Sequence, residues 1–158
     1  MQKHRGFSLI ELLIVIAIIL IIASMAIPNI LGALRSAHET AAIKAIGTIN
    51  TAQVSYNSTY PNMGFAVTLA TLGGTSCHPP SSASACLIDS QLASGTKHGY
   101  TFTLSGLTGT PAASYQILAA PTVPNETGVR YFCSMSDGVV RTSNAAIATC
   151  DTSIPPLQ

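Results

Sequence analysis

The chain has 158 residues, enough for one domain and an appended element, and only 8% of them are charged. With 47% hydrophobic residues and a net charge of +1, it has no basic patch on which a nucleic-acid backbone would dock. The apolar excess is concentrated near the start, which excludes an ordinary highly charged globule and favours a membrane segment joined to a small domain.

A long apolar segment follows a short basic stretch at the beginning of the sequence. Lys3 and Arg5 precede residues 12–34, and residues 12–23 carry no polar side chain. A helix over 12–34 would be about 34 Å long, enough to cross the hydrocarbon layer of a bilayer. Because basic residues stay on the cytoplasmic side, the rest of the chain is expected on the opposite side of the membrane.

Two simple interpretations of this segment are a cleaved secretory signal peptide and a plain one-pass anchor. Ser24-Met25-Ala26 fits the small-residue cleavage site of a signal peptide, but the apolar run is longer than such regions usually are. Neither interpretation explains Glu11, because a carboxylate at the front of a lipid-exposed segment is costly and usually functional.

The stretch GFSLIE at residues 6–11 closely resembles the processing signature of type IV prepilins: a short basic leader, a glycine, a phenylalanine and a glutamate at the fifth mature position. The resemblance implies that prepilin peptidase cleaves after Gly6 and that the new amine of Phe7 is methylated. It implies that the apolar helix is kept and holds a precursor in the inner membrane. It also implies that a pilus assembly platform then moves the subunit into an extracellular filament.

Glu11 lies one helical turn from the amine that such cleavage creates on Phe7. In a helix bundle without water, the amine of a neighbouring copy is a suitable partner for this carboxylate. A misaligned neighbour would leave the charge unmatched, so we expect Glu11 to set the register of copies during assembly.

Pro28 interrupts the helical pattern by removing one backbone hydrogen bond, and Gly32 follows one turn later. We expect the two residues to bend or loosen the helix. Type IV pilins typically have a proline at this mature position, and the resemblance implies that the helix can melt and extend there. A simple boundary between membrane segment and soluble domain is the other interpretation.

The pattern predicts one long helix over residues 7–58, with the membrane and assembly part at about 7–34 and the second half packed on a head. Such a helix spans about 78 Å, and other copies of the same helix are the natural cover for its first half. Arg35, Glu39, Lys44 and Asn50 are expected off its apolar stripe. The stripe itself recurs at spacings of three and four residues: Leu31, Leu34, His38, Ala41, Ala45, Ile49, Ala52 and Tyr56.

The head, residues 59–158, is predicted as a small antiparallel sheet covered by the amphipathic helix, giving an α+β pilin-like fold. Short helices are expected from Thr68 to Gly73-Gly74 and over 87–93. A tight turn at Asp137-Gly138 is expected to join the last two strands. The four predicted strands are 100–104, 114–120, 129–135 and 139–142.

The four cysteines suggest disulfides and an oxidising compartment. A Cys77–Cys86 bond would close the loop between them, and a Cys133–Cys150 bond would attach the last part of the chain to the third strand. The second resembles the disulfide-bounded loop near the carboxyl terminus of type IV pilins. Four cysteines allow three pairings, and a four-cysteine metal site is an alternative, although it usually has close cysteine pairs.

The sequence predicts no enzyme and no cofactor. It has no nucleophile elbow, no phosphate-binding glycine loop and no paired carboxylates, and His38-Glu39 lacks the second histidine of a zinc-protease motif. The resemblance implies a structural subunit whose main partner is itself, in a pilus that acts in adhesion, motility or DNA uptake.

Two other functions are open. The first is the major pseudopilin of a type II secretion system, which typically binds calcium through acidic residues in carboxyl-terminal loops; this chain has a lone Asp151 there. The second is a monomeric membrane-anchored binding module with the helix as a tether.

Overall fold

The computed structural model describes residues 7–74 and 77–157, so the predicted leader 1–6 and its cleavage residue Gly6 lie outside the described part. The chain divides into two units, Met1–Leu34 and Arg35–Gln158. One helix, α1 (Leu9–Thr59), contributes residues to both units.

In the first unit the described residues form the apolar part of α1. The helix begins at Leu9, two residues later than predicted, because Ser8 occupies the capping position: the backbone N–H groups of Glu11 and Leu12 donate to its carbonyl oxygen at 3.1 and 3.3 Å. Pro28 and Gly32 both lie inside the helix. The bend predicted at these two residues stays a prediction.

In the second unit α1 packs on the sheet through a face that differs from the predicted stripe at its start. Ala45, Ile49, Ala52 and Tyr56 are buried as expected. The prediction was wrong for Glu39, which is buried; Leu31 and Leu34, residues of the first unit, are about half exposed. The buried residues of α1 are Glu39, Ala42, Ala45, Ile46, Ile49, Ala52, Gln53 and Tyr56.

Two short helices follow α1, and both are capped by side chains. In α2 (Leu69–Leu72) the Thr68 hydroxyl accepts from the Thr71 backbone N–H at 3.1 Å. The third helix, α3 (Ser90–Ala93), is shorter than predicted because the Asp89 carboxylate accepts from the Leu92 N–H at 3.1 Å and fixes the start.

Over residues 7–74 and 77–157 the sheet has five antiparallel strands in the order β1-β2-β3-β4-β5, so the prediction of four strands was wrong by one. The additional strand, β1, has only two residues and forms a hairpin with β2 through His98-Gly99, both at positive φ (49° and 75°). The strands are β1 (Thr96–Lys97), β2 (Tyr100–Thr108), β3 (Ser114–Pro121), β4 (Tyr131–Met135) and β5 (Val140–Ser143).

The last two strands pair as predicted, with shifted ends. The loop between them is longer than a two-residue turn, since the last β4–β5 pair is Ser134 with Val140 and the Gly138 N–H donates to the Met135 carbonyl at 2.9 Å. Strand β4 begins at Tyr131 rather than Val129, because the backbone N–H groups of Val129 and Arg130 both donate to the Glu39 carboxylate.

The core of the second unit lies between α1 and the sheet, and α2 and α3 close its side. Its largest fully buried apolar side chains come from all of these layers: Ile46, Ile49, Tyr56, Leu72, Leu92, Tyr100, Ile117 and Phe132.

Both predicted disulfides are present. Cys77 and Cys86 are bonded with a Cα–Cα distance of 5.7 Å, and Cys133 and Cys150 with one of 5.8 Å. Because all four sulfurs are consumed in these bonds, the alternative of a four-cysteine metal site is wrong for this structure.

Candidate assembly surface

The apolar surface of residues 7–34, in the first unit, is highly exposed. Its large apolar side chains range from 48% exposed at Val15 to 83% exposed at Phe7, which lies just before α1. By length and composition α1 qualifies as a membrane-crossing helix. A soluble monomer rarely exposes a contiguous apolar patch of this size, so the segment needs lipid or other protein as a cover.

Glu11 is exposed in the first turn of α1, where a negative charge is favoured by the helix dipole. Its carboxylate oxygen Oε2 accepts from the Ser8 backbone N–H at 3.4 Å, which is one half of a capping box. The sequence signal was available as Ser8-x-x-Glu11, but sequence reasoning missed this local role. The other carboxylate oxygen, Oε1, has no hydrogen bond to the described residues of the chain.

Ser24 and Gly32 lie inside the apolar segment, and neither is tied to a partner elsewhere in the described part of the chain. The Ser24 hydroxyl donates to the Ile21 carbonyl at 2.7 Å, so its donor is satisfied within the helix. At Gly32 an added Cβ would meet no atom within 4 Å. Packing inside the chain therefore does not require glycine at this position.

In the second unit, Glu39 fastens α1 to the connection between β3 and β4. Its Oε1 accepts from the backbone N–H groups of Val129 at 2.9 Å and Arg130 at 3.1 Å, and its Oε2 accepts from Arg130 Nε at 2.8 Å. Burial by itself would raise the pKa of Glu39, but the Val129 N–H and the Arg130 guanidinium outweigh it and hold the pKa below its ordinary value of 4.5. The residue is therefore a charged anchor of the fold.

His38 supports the same connection. Its Nδ1 lies 3.1 Å from the Thr127 carbonyl oxygen, so this ring nitrogen carries the proton and donates. A Cβ on Gly99 would lie 2.8 Å from Thr127 Cβ and 3.3 Å from His38 Nδ1, which explains why glycine is needed here. The dipeptide His38-Glu39 is thus used for packing and hydrogen bonding in the described structure.

Two amides of α1 hold the helix to the rest of the second unit. Asn50 donates to Ser134 Oγ at 2.9 Å and accepts from the Tyr115 hydroxyl at 3.0 Å, although the sequence placed Asn50 off the packed face. Gln53, fully buried, makes two bonds with the backbone of Ala66, at 3.0 and 2.8 Å. These paired groups satisfy a buried polar layer and fix the helix on the sheet.

Acidic residues do not cluster in the carboxyl-terminal part of the described chain. Asp151 accepts from the Ser153 backbone N–H at 2.8 Å, and its pKa is lowered by the side-chain and backbone hydrogen bonds from Ser153. Within residues 7–74 and 77–157, no group of three or more His, Cys, Asp or Glu side chains is placed to hold a metal ion.

Comparison with known proteins identifies the start of the chain. Residues 1–27 match the prokaryotic N-terminal methylation motif. The chain is similar to the type IV wide pilus major component PilA4 of Thermus thermophilus, with 58% identity over 40 residues, which are 25% of this chain and 30% of the relative.

A second similarity is to the type II secretion system core protein G of Vibrio cholerae, with 38% identity over 64 residues, which are 39% of this chain and 44% of the relative. No solved structure matches the chain significantly. The matched part spans less than half of either relative. The chain thus carries a prokaryotic N-terminal methylation motif joined to an apolar helix, and it is similar over part of its length to a pilus component and to a secretion-system protein.

Proposed function

We propose that the chain is a structural subunit of an extracellular type IV pilus, made as an inner-membrane precursor and polymerised through the apolar part of α1. The observation that carries the proposal is the union of a methylation motif over residues 1–27 with an apolar segment whose large apolar side chains are exposed from Phe7 to Leu34. Lipid covers this surface in the precursor, and copies of the same helix cover it in the filament.

Prepilin peptidase is the first proposed partner. It cleaves after Gly6, and the new amine of Phe7 is methylated. Intact-mass and peptide analysis of the mature protein tests this step. A methylated Phe7 at the terminus supports the proposal, a terminus at Ile27 would indicate a signal peptide, and Met1 would indicate an unprocessed anchor.

The second proposed step is alignment of copies by Glu11, moved into place by the pilus assembly platform. The exposed Glu11 carboxylate accepts one long hydrogen bond, from the Ser8 N–H, and can accept others. In a water-free helix bundle, the cationic amino terminus of a neighbouring copy donates to it. Pro28 and Gly32 give the helix the freedom to adjust to its neighbours.

Two variants separate alignment from capping. Glu11→Gln keeps an oxygen that accepts from the Ser8 N–H but removes the charge, whereas Glu11→Ala removes both. If charge sets the register, both variants produce few filaments while the precursor accumulates normally. Normal filament yield with Glu11→Gln and reduced yield with Glu11→Ala would assign Glu11 to helix capping alone.

The second candidate function is that of a type II secretion pseudopilin, which the 64-residue match to a secretion-system core protein favours. Calcium-dependent thermal stabilisation of the second unit would support it, and abundant long surface filaments would support the pilus. A monomeric anchored binding module is the third candidate, and it predicts monomers in detergent together with no filaments on cells. We propose no catalytic activity.

A further inference from the structure

One edge of the sheet, that of β5, is occupied by a segment later in the same chain. Residues 154–157 run antiparallel to β5 and form a bridge in which Arg141 lies opposite Pro156. The Thr142 N–H donates to the Pro155 carbonyl at 3.1 Å, and the Leu157 N–H donates to the Val140 carbonyl at 2.9 Å. The segment thus takes up the pairing groups that an edge strand would otherwise present.

The direction of these bonds decides which backbone groups of the segment face outward. Since Pro155 and Leu157 use their backbone groups toward β5, the intervening Pro156 turns its backbone away from the sheet. Proline has no N–H, so this outward position has no donor. The N–H of Ile154, the other outward position, donates to the Asp151 carbonyl at 3.4 Å.

The opposite edge of the sheet is blunted in a different way. Strand β1 has only two residues, and one of them, Lys97, holds an ion pair with Asp89 at 2.7 Å. Short edge strands and edge lysines are standard obstacles to pairing with another sheet. Both edges of the sheet therefore carry a feature that hinders pairing with another sheet.

We propose that residues 154–157 cap the β5 edge and prevent it from adding a strand of a second copy of this chain. The β5 edge is a pairing surface for a second copy, and the capping segment keeps it occupied. Leu157, which packs against the core, holds the cap in place, and Pro156 ends the sheet.

The test uses the full chain in detergent micelles, with self-association measured by sedimentation over a range of protein concentrations. Pro155→Thr and Pro156→Thr form a matched pair, because the two prolines are adjacent and exposed, but a new N–H points toward β5 in the first and outward in the second. A chain ending at Ser153 removes the cap entirely.

We expect the chain ending at Ser153 to self-associate with a dissociation constant about tenfold below that of the wild type, the effect of about one net hydrogen bond or a little more. Pro156→Thr is expected to lower the constant by about threefold, and Pro155→Thr to leave it unchanged. Amide exchange at Thr142 in the shortened chain is expected to slow as concentration rises.

Two results would overturn the proposal. The first is a shortened chain that keeps the Cys133–Cys150 bond and a cooperative unfolding transition yet associates no more than the wild type. If the shortened chain does not fold, the matched pair decides: equal constants for Pro155→Thr and Pro156→Thr refute the cap. Neither readout depends on filament formation, so the result stands apart from the pilus proposal.

Discussion

Removing the carboxylate of Glu39 is expected to destabilise the second unit more than any other single change of charge in α1. Glu39→Ala leaves the backbone N–H groups of Val129 and Arg130 without their acceptor and frees the Arg130 guanidinium. Orphaned, partly buried donors cost about 1–3 kcal/mol each. Because the Arg130 side chain is 40% exposed, water can take the place of some of the lost hydrogen bonds. We therefore expect Glu39→Ala to lower the free energy of unfolding by about 3 kcal/mol, which corresponds to a Tm lower by about 10 °C.

Glu39→Gln separates hydrogen bonding from charge. The amide oxygen still accepts from the two backbone N–H groups, so we expect a loss of about 1–2 kcal/mol from the ion pair with Arg130. The folded-state pKa of Glu39 is lowered, so the contribution of its charge is full above about pH 4.5 and is lost as the pH falls through the folded-state pKa. The difference in the free energy of unfolding between the wild type and Glu39→Gln must therefore shrink as the pH is lowered.

Tyrosine fluorescence gives a selective assay for these variants. The chain has no Trp, and all five tyrosines lie in the second unit, so thermal unfolding in detergent micelles reports on that unit without signal from the apolar segment. The exposed Glu126 belongs to the same connection, and Glu126→Gln is the matched control, with an expected change below about 0.5 kcal/mol. Two results would refute the reasoning. One is an equal loss of unfolding free energy in Glu39→Gln and Glu126→Gln. The other is a difference in unfolding free energy between the wild type and Glu39→Gln that is the same at pH 7 and pH 3.

Three further predictions concern the second unit. Replacing Cys133 and Cys150 by serine opens a loop of sequence separation 17 and is expected to cost about 3 kcal/mol in denaturant unfolding, whereas a cost below about 1 kcal/mol would show that hydrogen bonds alone fix the loop. Burial raises the pKa of Tyr100, so the stability it contributes is present below pH 10 and declines at higher pH; Tyr100→Phe should flatten this alkaline decline, and an unchanged pH profile would contradict it. Gln53→Leu leaves the Ala66 N–H and carbonyl without partners and should lower the free energy of unfolding by about 2–4 kcal/mol. Amide exchange at Ala66 should be faster in this variant than in the control Asn57→Leu, which changes the same helix, and equal exchange rates in the two variants would contradict the prediction.

Sequence patterns predicted the features of this protein that depend on neighbours along the chain. The apolar run through residues 12–23 specifies a helix whatever else the chain does, and a threonine or glycine at an element end marks its limits locally. The pairing of Cys77 with Cys86 is also local, across nine positions. For the same reason strand β1 escaped detection, because two residues are too few to show alternation.

Two errors concern polar residues whose partners are distant in sequence, Glu39 and Asn50. Glu39 resembles a solvent-facing acid until the Val129 N–H, 90 residues away, is brought to it, and the same contact moves the start of β4 to Tyr131. Asn50 was likewise placed off the packed face although it bridges Ser134 and Tyr115. Periodicity ranks residues by hydrophobicity, so it cannot identify a buried polar group that becomes favourable only once its partners are in place.

The two carboxylates of α1 show how this difference bears on function. Glu39 is fully used inside its own chain, by two backbone N–H groups and a guanidinium, and so it specifies a fold. Glu11 is exposed and accepts one long hydrogen bond, from the Ser8 N–H, so most of its acceptor sites are left for a donor outside the chain. In an apolar medium an acid in that condition is costly. The same helix thus carries one acid that completes the monomer and one that, under the proposed assembly, is paired by the terminal amine of a second copy.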